Sequence, residues 1–291
     1  MSVTNAPVTE GAEPYHTPAH VAMETAISPH FKILFITQDD PFYVRLFFEE
    51  FFSACDDREE IAGVVLAAPM GKKNAAALAR RMLDFYGPLD FLRVGSRYAA
   101  YRLGDTMAGL TGCRKSFSIG RLCKGYGIPV LRESRVNSPE FLQKVAEIAP
   151  DLIISVAAPM VFKKELLAAP RCGCINIHHG MLPRYRGMLP NFWQMYHGEK
   201  RAGITVHEMS EKLDDGGIII QEEVEIGSDE TLDALIRRTK RLGARVMIRA
   251  IGLIKAGEVS YRPNRAEQGS YFTFPSRRDV LEFRRRGKRI L

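Results

Sequence analysis

The stretch INIHHGMLPRYRG at residues 175–187 and the run LDDGG at 213–217 hold the side chains best suited to chemistry. The first reads as a strand running into a turn, and because strand side chains repeat with a period of two, Asn176 and His178 share one face. An amide donor beside an imidazole can polarise a carbonyl, and hydrogen-bonding the developing oxyanion contributes about 3 to 4 kcal/mol in comparable sites. LDDGG places Asp214 and Asp215 beside glycines, whose missing Cβ lets the backbone approach a ligand. A carboxylate there can hold the imidazole in one tautomer and take up, directly or through water, the proton an amine must lose. Amide, imidazole and carboxylate together meet the needs of acyl transfer to an amine.

Such groups must be held by elements that bring two distant segments together. From residue 31 the chain alternates short apolar runs with longer segments of helical period, the order of a parallel sheet with crossover helices. FKILFI, IAGVVLAA, IPVL, DLIISVA and CGCINIH read as strands. Between them, FYVRLFFEEFF, NAAALARRML, SPEFLQKVAEIAP and VFKKELLAAP read as helices, the third opened by Ser138 and Pro139 and the last stopped by Pro170. The segment from Gly87 to Gly127 is expected to hold one or two helices ending at Gly127. LPNFWQMY resumes as a helix, ITVHEM and GIIIQEEVEI are two further strands, and residues 228–256 form a long helix with Ser228 as its expected cap. VSYRP is a short strand-like run beyond it. The expected fold is α/β, a Rossmann-like, mostly parallel sheet with helices on both faces and a small C-terminal appendage. Residues 1–30 read as a flexible tail, 31–227 as the catalytic domain, and 228–291 as a helix followed by a small basic and aromatic subdomain. Ligands in such sheets sit beyond the carboxyl ends of the strands, where Asn176 and His178 are aimed.

The bulk properties exclude several classes. No apolar run approaches the ~20 residues of a membrane-spanning helix, and the N-terminal residues lack the pattern of a secretory signal. Five cysteines, with Cys172 and Cys174 the only close pair, give neither a disulfide framework nor a zinc motif, which suits a cytoplasmic protein without a metal. The formal charge of +7 is concentrated from Arg262 onward, where it can serve a phosphate-bearing ligand or be solvated.

N-x-H, then L-P-x-x-R-G, then L-D-x-G resembles the folate-dependent formyltransferase family, and the resemblance runs from Lys32 to Ile226. It implies an enzyme using 10-formyltetrahydrofolate as co-substrate, with Asn176, His178 and Asp214 as catalytic residues. It further implies a folate cradle made by Ala157, Ala158, Pro159, Met160 and Val161, closed by Glu211, Lys212 and Leu213. The chain departs from the family pattern at His179, where a smaller residue or proline is usual, and at Gly180, where serine is common. Arg184, Arg186 and Tyr271 are candidates for contact with the acceptor. His179 and His207 read as packing or structural histidines, and the phenylalanines from Phe42 to Phe52 as core. His16 and His20 have helical metal spacing in a tail without helical pattern and read as solvated.

Three acceptors compete. Glycinamide ribonucleotide calls for a glycine-rich loop after the first strand, where this chain has ITQDDPFY. Initiator tRNA calls for a C-terminal barrel that the residues beyond the long helix are too few to build, although a basic tail keeps nucleic acid as an alternative. An amino sugar on a nucleotide fits the interleaving of Tyr261, Tyr271, Phe272 and Phe274 with arginines, and a small-molecule amine of that kind is the expected partner. A homodimer is an admissible assembly, and a folate-binding module without turnover is the reading from a different class.

Overall fold

ILFIT and LIISV bury every residue, as central strands covered by helices on both faces must. They are β1 (Ile33–Thr37) and β4 (Leu152–Val156) in the computed structural model, which describes residues 31–68, 75–111 and 117–291. The elements that follow β1 are α1 (Val44–Ala54), β2 (Ile61–Ala67), α2 (Ala75–Tyr86), α3 (Pro88–Thr111), α4 (Ile119–Gly125), β3 (Val130–Glu133) and α5 (Pro139–Ile148). Then come β4 (Leu152–Val156), α6 (Lys164–Leu167), β5 (Cys174–His178), β6 (Arg186–Gly187), α7 (Pro190–Tyr196), β7 (Arg201–Glu208) and β8 (Ile218–Glu225). The chain closes with α8 (Leu232–Ala256), β9 (Tyr271–Phe272) and α9 (Arg277–Arg285). His16 and His20 lie outside the described residues.

The main sheet has the order β3-β2-β1-β4-β5-β7-β8, parallel from β3 to β5 and antiparallel at β7 and β8. This is the α/β, Rossmann-like architecture expected from the strand and helix order. The winding reverses between β1 and β4, and a ligand crevice opens at the carboxyl ends of such a pair. Thr37 Oγ1 donates to the Val156 carbonyl at 2.7 Å and ties the two strand ends together at that crevice.

Two apolar clusters sandwich the sheet. On one face Phe47, Phe48, Phe51 and Phe52 of α1 pack with the α8 residues Met247, Ala250 and Ile251; on the other, Phe141 of α5 joins Phe162 and Leu166. Phe42 stands apart from its neighbours: it leaves the core and meets Tyr98 and Tyr101 of α3.

Some element ends differ from the sequence reading for local reasons. Ser138 caps α5 as expected, accepting from the Phe141 N–H. The long helix starts at Leu232 and is capped by Thr231, not Ser228, because Glu230 turns back to accept the Gly227 N–H and fixes a turn before the helix. VSYRP forms no strand; Arg262 makes only an isolated bridge to Ile218. Residues past Gly257 pack into the same body. β9 pairs with β6, Phe272 stacks on Trp193 and Tyr185 at centroid distances of 4.7 and 5.7 Å, and Phe283 of α9 stacks on Phe192 at 4.6 Å.

Candidate functional site

A cavity of about 470 Å³ opens at the crevice. The β1–α1 loop, the loop after β4, the ends of β5 and β7, and the 209–214 loop enclose it, with α8 along one side. Asn176, His178 and Asp214 all line it, so two segments far apart in sequence converge there.

The antiparallel register sets the first contact. Asn176 lies opposite His207, and its Nδ2 donates to His207 Nε2 at 3.1 Å. His207 Nδ1 faces the Glu208 carbonyl at 2.6 Å, and a carbonyl only accepts, so Nδ1 carries the hydrogen and Nε2 is the free acceptor. Burial holds this imidazole neutral by driving its pKa well down, against the opposing pull of Asp214. The neutral ring therefore orients the Asn176 amide, leaving its other N–H for the cavity. His207 is a structural histidine, as the sequence implied, with this positioning duty added.

His178 is held the same way from the other side. Its Nε2 lies 2.7 Å from the Tyr185 carbonyl and must donate, so Nδ1 faces Asp214, 3.6 Å from Oδ2. That separation exceeds a direct hydrogen bond, and because Nδ1 and the carboxylate are both acceptors in this tautomer, a water donating to each, or a proton taken up on Nδ1, is what links them. The Asp214 Oδ1 lies 3.7 Å from His207 Nε2, placing the carboxylate between two imidazoles.

Asp214 is fixed by backbone. It sits at φ +52°, in the left-handed region that asparagine and aspartate tolerate best. Its Oδ2 accepts the Gly187 N–H at 2.8 Å, and Asn264 Nδ2 donates to its carbonyl at 3.0 Å. Gly187, at φ +94°, is pressed against the Phe272 backbone, and a Cβ there would overlap the Phe272 carbonyl oxygen. The terminal segment thus clamps the loop that holds the acid.

The two departures from the family motif have one packing cause each. A Cβ on Gly180 would come within 2.8 Å of His178 Nε2, so glycine leaves room for that ring. The bulk of His179 is taken up at α8, where a Cβ on Gly243 would lie 2.9 Å from His179 Cε1. His179 packs as expected, yet it lines the cavity and neither ring nitrogen has a hydrogen-bond partner among the described residues.

Ala157, Ala158, Pro159, Met160 and Val161 border the cavity together with Lys212 and Leu213; Glu211 does not. With Met209 these residues make a largely apolar slot, which fits a flat heterocycle. The three candidate acceptor contacts fall elsewhere. Arg184 does not border the cavity and pairs with Glu199 at 3.4 Å, the acid that also accepts from the Tyr185 hydroxyl at 2.7 Å. Arg186 donates from Nε to the Leu213 carbonyl at 3.2 Å, bracing the acid's loop from outside the cavity. Tyr271, 56% exposed, sits on β9 beside Arg186 and does not border the cavity. Phe272 and Phe274 are docked on core aromatics and are not presented for base stacking. Among the described residues no group of three or more histidine, cysteine or acidic side chains could hold a metal ion.

Sequence reasoning missed Lys240. It falls on the buried stripe of α8, four residues after Ile236 and four before Ala244, and it lines the cavity. A lysine at that phase of an otherwise apolar helical face was the available signal.

The sheet order gives an α/β, Rossmann-like fold with an amide, an imidazole and a carboxylate gathered at the carboxyl edge of its parallel strands. A family model described as formyl transferase matches residues 98–251, more than half of the chain, and the chain belongs to the formyl transferase family. The methionyl-tRNA formyltransferase of Syntrophus aciditrophicus is 39% identical over 156 residues, 54% of this chain and 50% of that protein. The chain spans about half the length of the curated relatives it matches. A glycinamide ribonucleotide transformylase from Symbiobacterium toebii shares the fold with a TM-score of 0.56 at 17% identity, covering 82% of this chain and 94% of that one. A sugar N-formyltransferase from a Shewanella species does so with a TM-score of 0.51 at 20% identity, covering 84% and 76%. No described helix is long and apolar enough to cross a membrane.

Proposed function

We propose that this chain transfers a formyl group from 10-formyltetrahydrofolate to a primary amine. The observation that carries the reading is the convergence of Asn176, His178 and Asp214 on one cavity, with His178 Nδ1 3.6 Å from Asp214 Oδ2.

The apolar slot between Ala157–Val161 and Leu213 accommodates the folate ring, and the bound donor supplies a formyl carbonyl on nitrogen. The free Asn176 N–H hydrogen-bonds the formyl oxygen as the amine adds and the oxygen gains charge. His178, its Nε2–H tied to Tyr185, offers Nδ1 on the Asp214 side as the relay for the proton the amine loses. That proton passes through Asp214 or a water beside it to the departing folate nitrogen as the old carbon–nitrogen bond breaks. A formamide and tetrahydrofolate result.

The acceptor favoured by the curated relatives is the α-amine of an aminoacyl-tRNA, and not the amino sugar on a nucleotide expected from the tail residues. Two observations support the change. The curated relatives reported above are methionyl-tRNA formyltransferases, and two of the aromatics expected to stack on a nucleotide base, Phe272 and Phe274, are docked on the protein. Incubating the purified full chain and 10-formyltetrahydrofolate with methionyl-tRNA, with a nucleotide-linked amino sugar and with glycinamide ribonucleotide, while following tetrahydrofolate release, tests the reading. Release with methionyl-tRNA alone is expected. Release with the amino sugar alone would replace the acceptor, and no release with any amine would favour a folate-binding module.

A further inference from the structure

The helix α3 is apolar on two opposite sides, and among the described residues only one of them is covered. Its inward side carries Phe91, Val94 and Tyr98, which line a second cavity of about 1020 Å³ against the ends of β2 and β3. Phe42 packs on Tyr98 and Tyr101 at ring distances of 6.2 and 5.5 Å, and Asp105 pairs with Arg121 at 3.3 Å, so this side is fastened to the body. The opposite side carries Leu89, Leu92, Leu103, Met107 and Leu110, which are between 50 and 81% exposed. Steps of three and four residues join them through Ser96, Ala99 and Ala100 into one stripe along the 24-residue helix, which is about 36 Å long.

The stripe is complementary to itself. It is large at both ends and small at the centre: Leu89 answers Leu110, Leu92 answers Met107, and Ala99 and Ala100 meet in the middle. Two copies lying antiparallel about a two-fold axis at those alanines would set each residue beside its counterpart, because in such a contact residue i meets j and j meets i. The alanines let the helix axes close in, and Ser96 falls opposite Leu103, a small side chain against a large one. Burial suits the hydroxyls too. Ser96 Oγ donates to the Arg93 carbonyl at 2.9 Å and Thr106 Oγ1 to the Arg102 carbonyl at 3.0 Å, so both are satisfied by their own helix. A lipid surface fits less well, since it calls for a row of free cations beside the stripe. Here Arg93 pairs with Asp90 at 3.4 Å and Arg97 lies over the Phe42 ring at 5.6 Å.

We propose that the outer stripe of α3 is a self-association surface, through which two copies of this chain form an antiparallel two-fold dimer. A single helix pair lies at the small end of specific interfaces, which sets the expected dissociation constant in the micromolar range. The partner helix braces α3 over the second cavity, which adjoins the main one at Gln38 and Asp40. The surface is independent of formyl transfer and of the acceptor.

Analytical ultracentrifugation of the full chain should show a reversible shift from monomer to dimer mass across the micromolar range. Leu92→Asp and Leu103→Asp should each raise the dissociation constant about tenfold or more, since every substitution enters the contact twice and buries charge, while Leu103→Met should stay within about threefold. Both leucines are exposed in the single chain, so neither Asp variant should lose helix content by circular dichroism. Oxidative cross-linking in a Cys113→Ser background reads the orientation. Leu89→Cys mixed with Leu110→Cys should give a disulfide-linked dimer, whereas either alone should not, its two copies lying about 30 Å apart. A monomeric wild type, Asp variants that dimerise as well as wild type, or self-cross-linking of Leu89→Cys would each overturn the proposal. A monomer that floats with phosphatidylglycerol vesicles, and ceases to in Leu103→Asp, would give the stripe to a membrane surface instead. A monomer whose melting temperature falls in Leu103→Asp would give it to another segment of this chain.

Discussion

The two halves of the cavity are built on opposite principles. Around the β5–β7 edge the polar groups are partnered: Asn176 with His207, His207 with the Glu208 carbonyl, His178 with the Tyr185 carbonyl, Asp214 with the Gly187 N–H. At the α8 side the ring nitrogens of His179 are buried without a partner, and Lys240 lines the cavity with no hydrogen bond or ion pair, among the described residues. A group that must act at a defined angle is fixed by its own protein, since displacing it by ~1 Å costs catalysis heavily. A buried polar group that its own protein leaves unpaired costs stability instead.

That contrast is broken most severely at the partnered half. His178→Ala or Asp214→Asn should lower turnover by about a thousandfold or more while 5-formyltetrahydrofolate still binds, as measured by single-turnover kinetics beside equilibrium titration. A rate close to wild type in either variant would take that residue out of the chemistry. His207→Phe is the sharper test of positioning, because it removes the acceptor for the Asn176 amide while leaving His178 and Asp214 themselves unchanged. Turnover should fall about tenfold with little change in KM, and a parallel drop in KM and kcat that follows only the melting temperature would mark a packing role.

The smallest effect is one of stability. Burial depresses the pKa of both His179 and His207 below the ordinary histidine value of 6.5, so the folded chain binds fewer protons than the unfolded one beneath that pH. Their contribution is whole above about pH 6.5 and is lost progressively as the pH falls below it, because the unfolded chain then takes up protons that the buried rings refuse. The melting temperature should therefore decline from pH 7.5 to pH 5, and more gently in His179→Leu, which removes one of the two groups. A melting temperature that rises on acidification would contradict the neutral burial of these rings.

Much of the site was legible in the residues alone. The period-two rule put Asn176 and His178 on one strand face, and the glycines after Asp214 marked a loop where backbone crowds a ligand. Three things were not. His207 gained its positioning duty only through pairing opposite Asn176. Arg184 paired with Glu199, and the tail residues Phe272 and Phe274 were absorbed by Trp193, Tyr185 and Phe85.

The amino-acid sequence by itself determined the strand and helix order, the helix phases, and the amide, imidazole and acid, because periodicity and turn chemistry act over a few residues at a time. Only the tertiary structure decided which strand lay opposite Asn176, which side chains of the 175–187 turn faced the cavity, and that Lys240 was buried with no direct counter-ion among the described residues. Those outcomes depend on register and on long-range packing, where a shift of one residue reverses what a side chain meets.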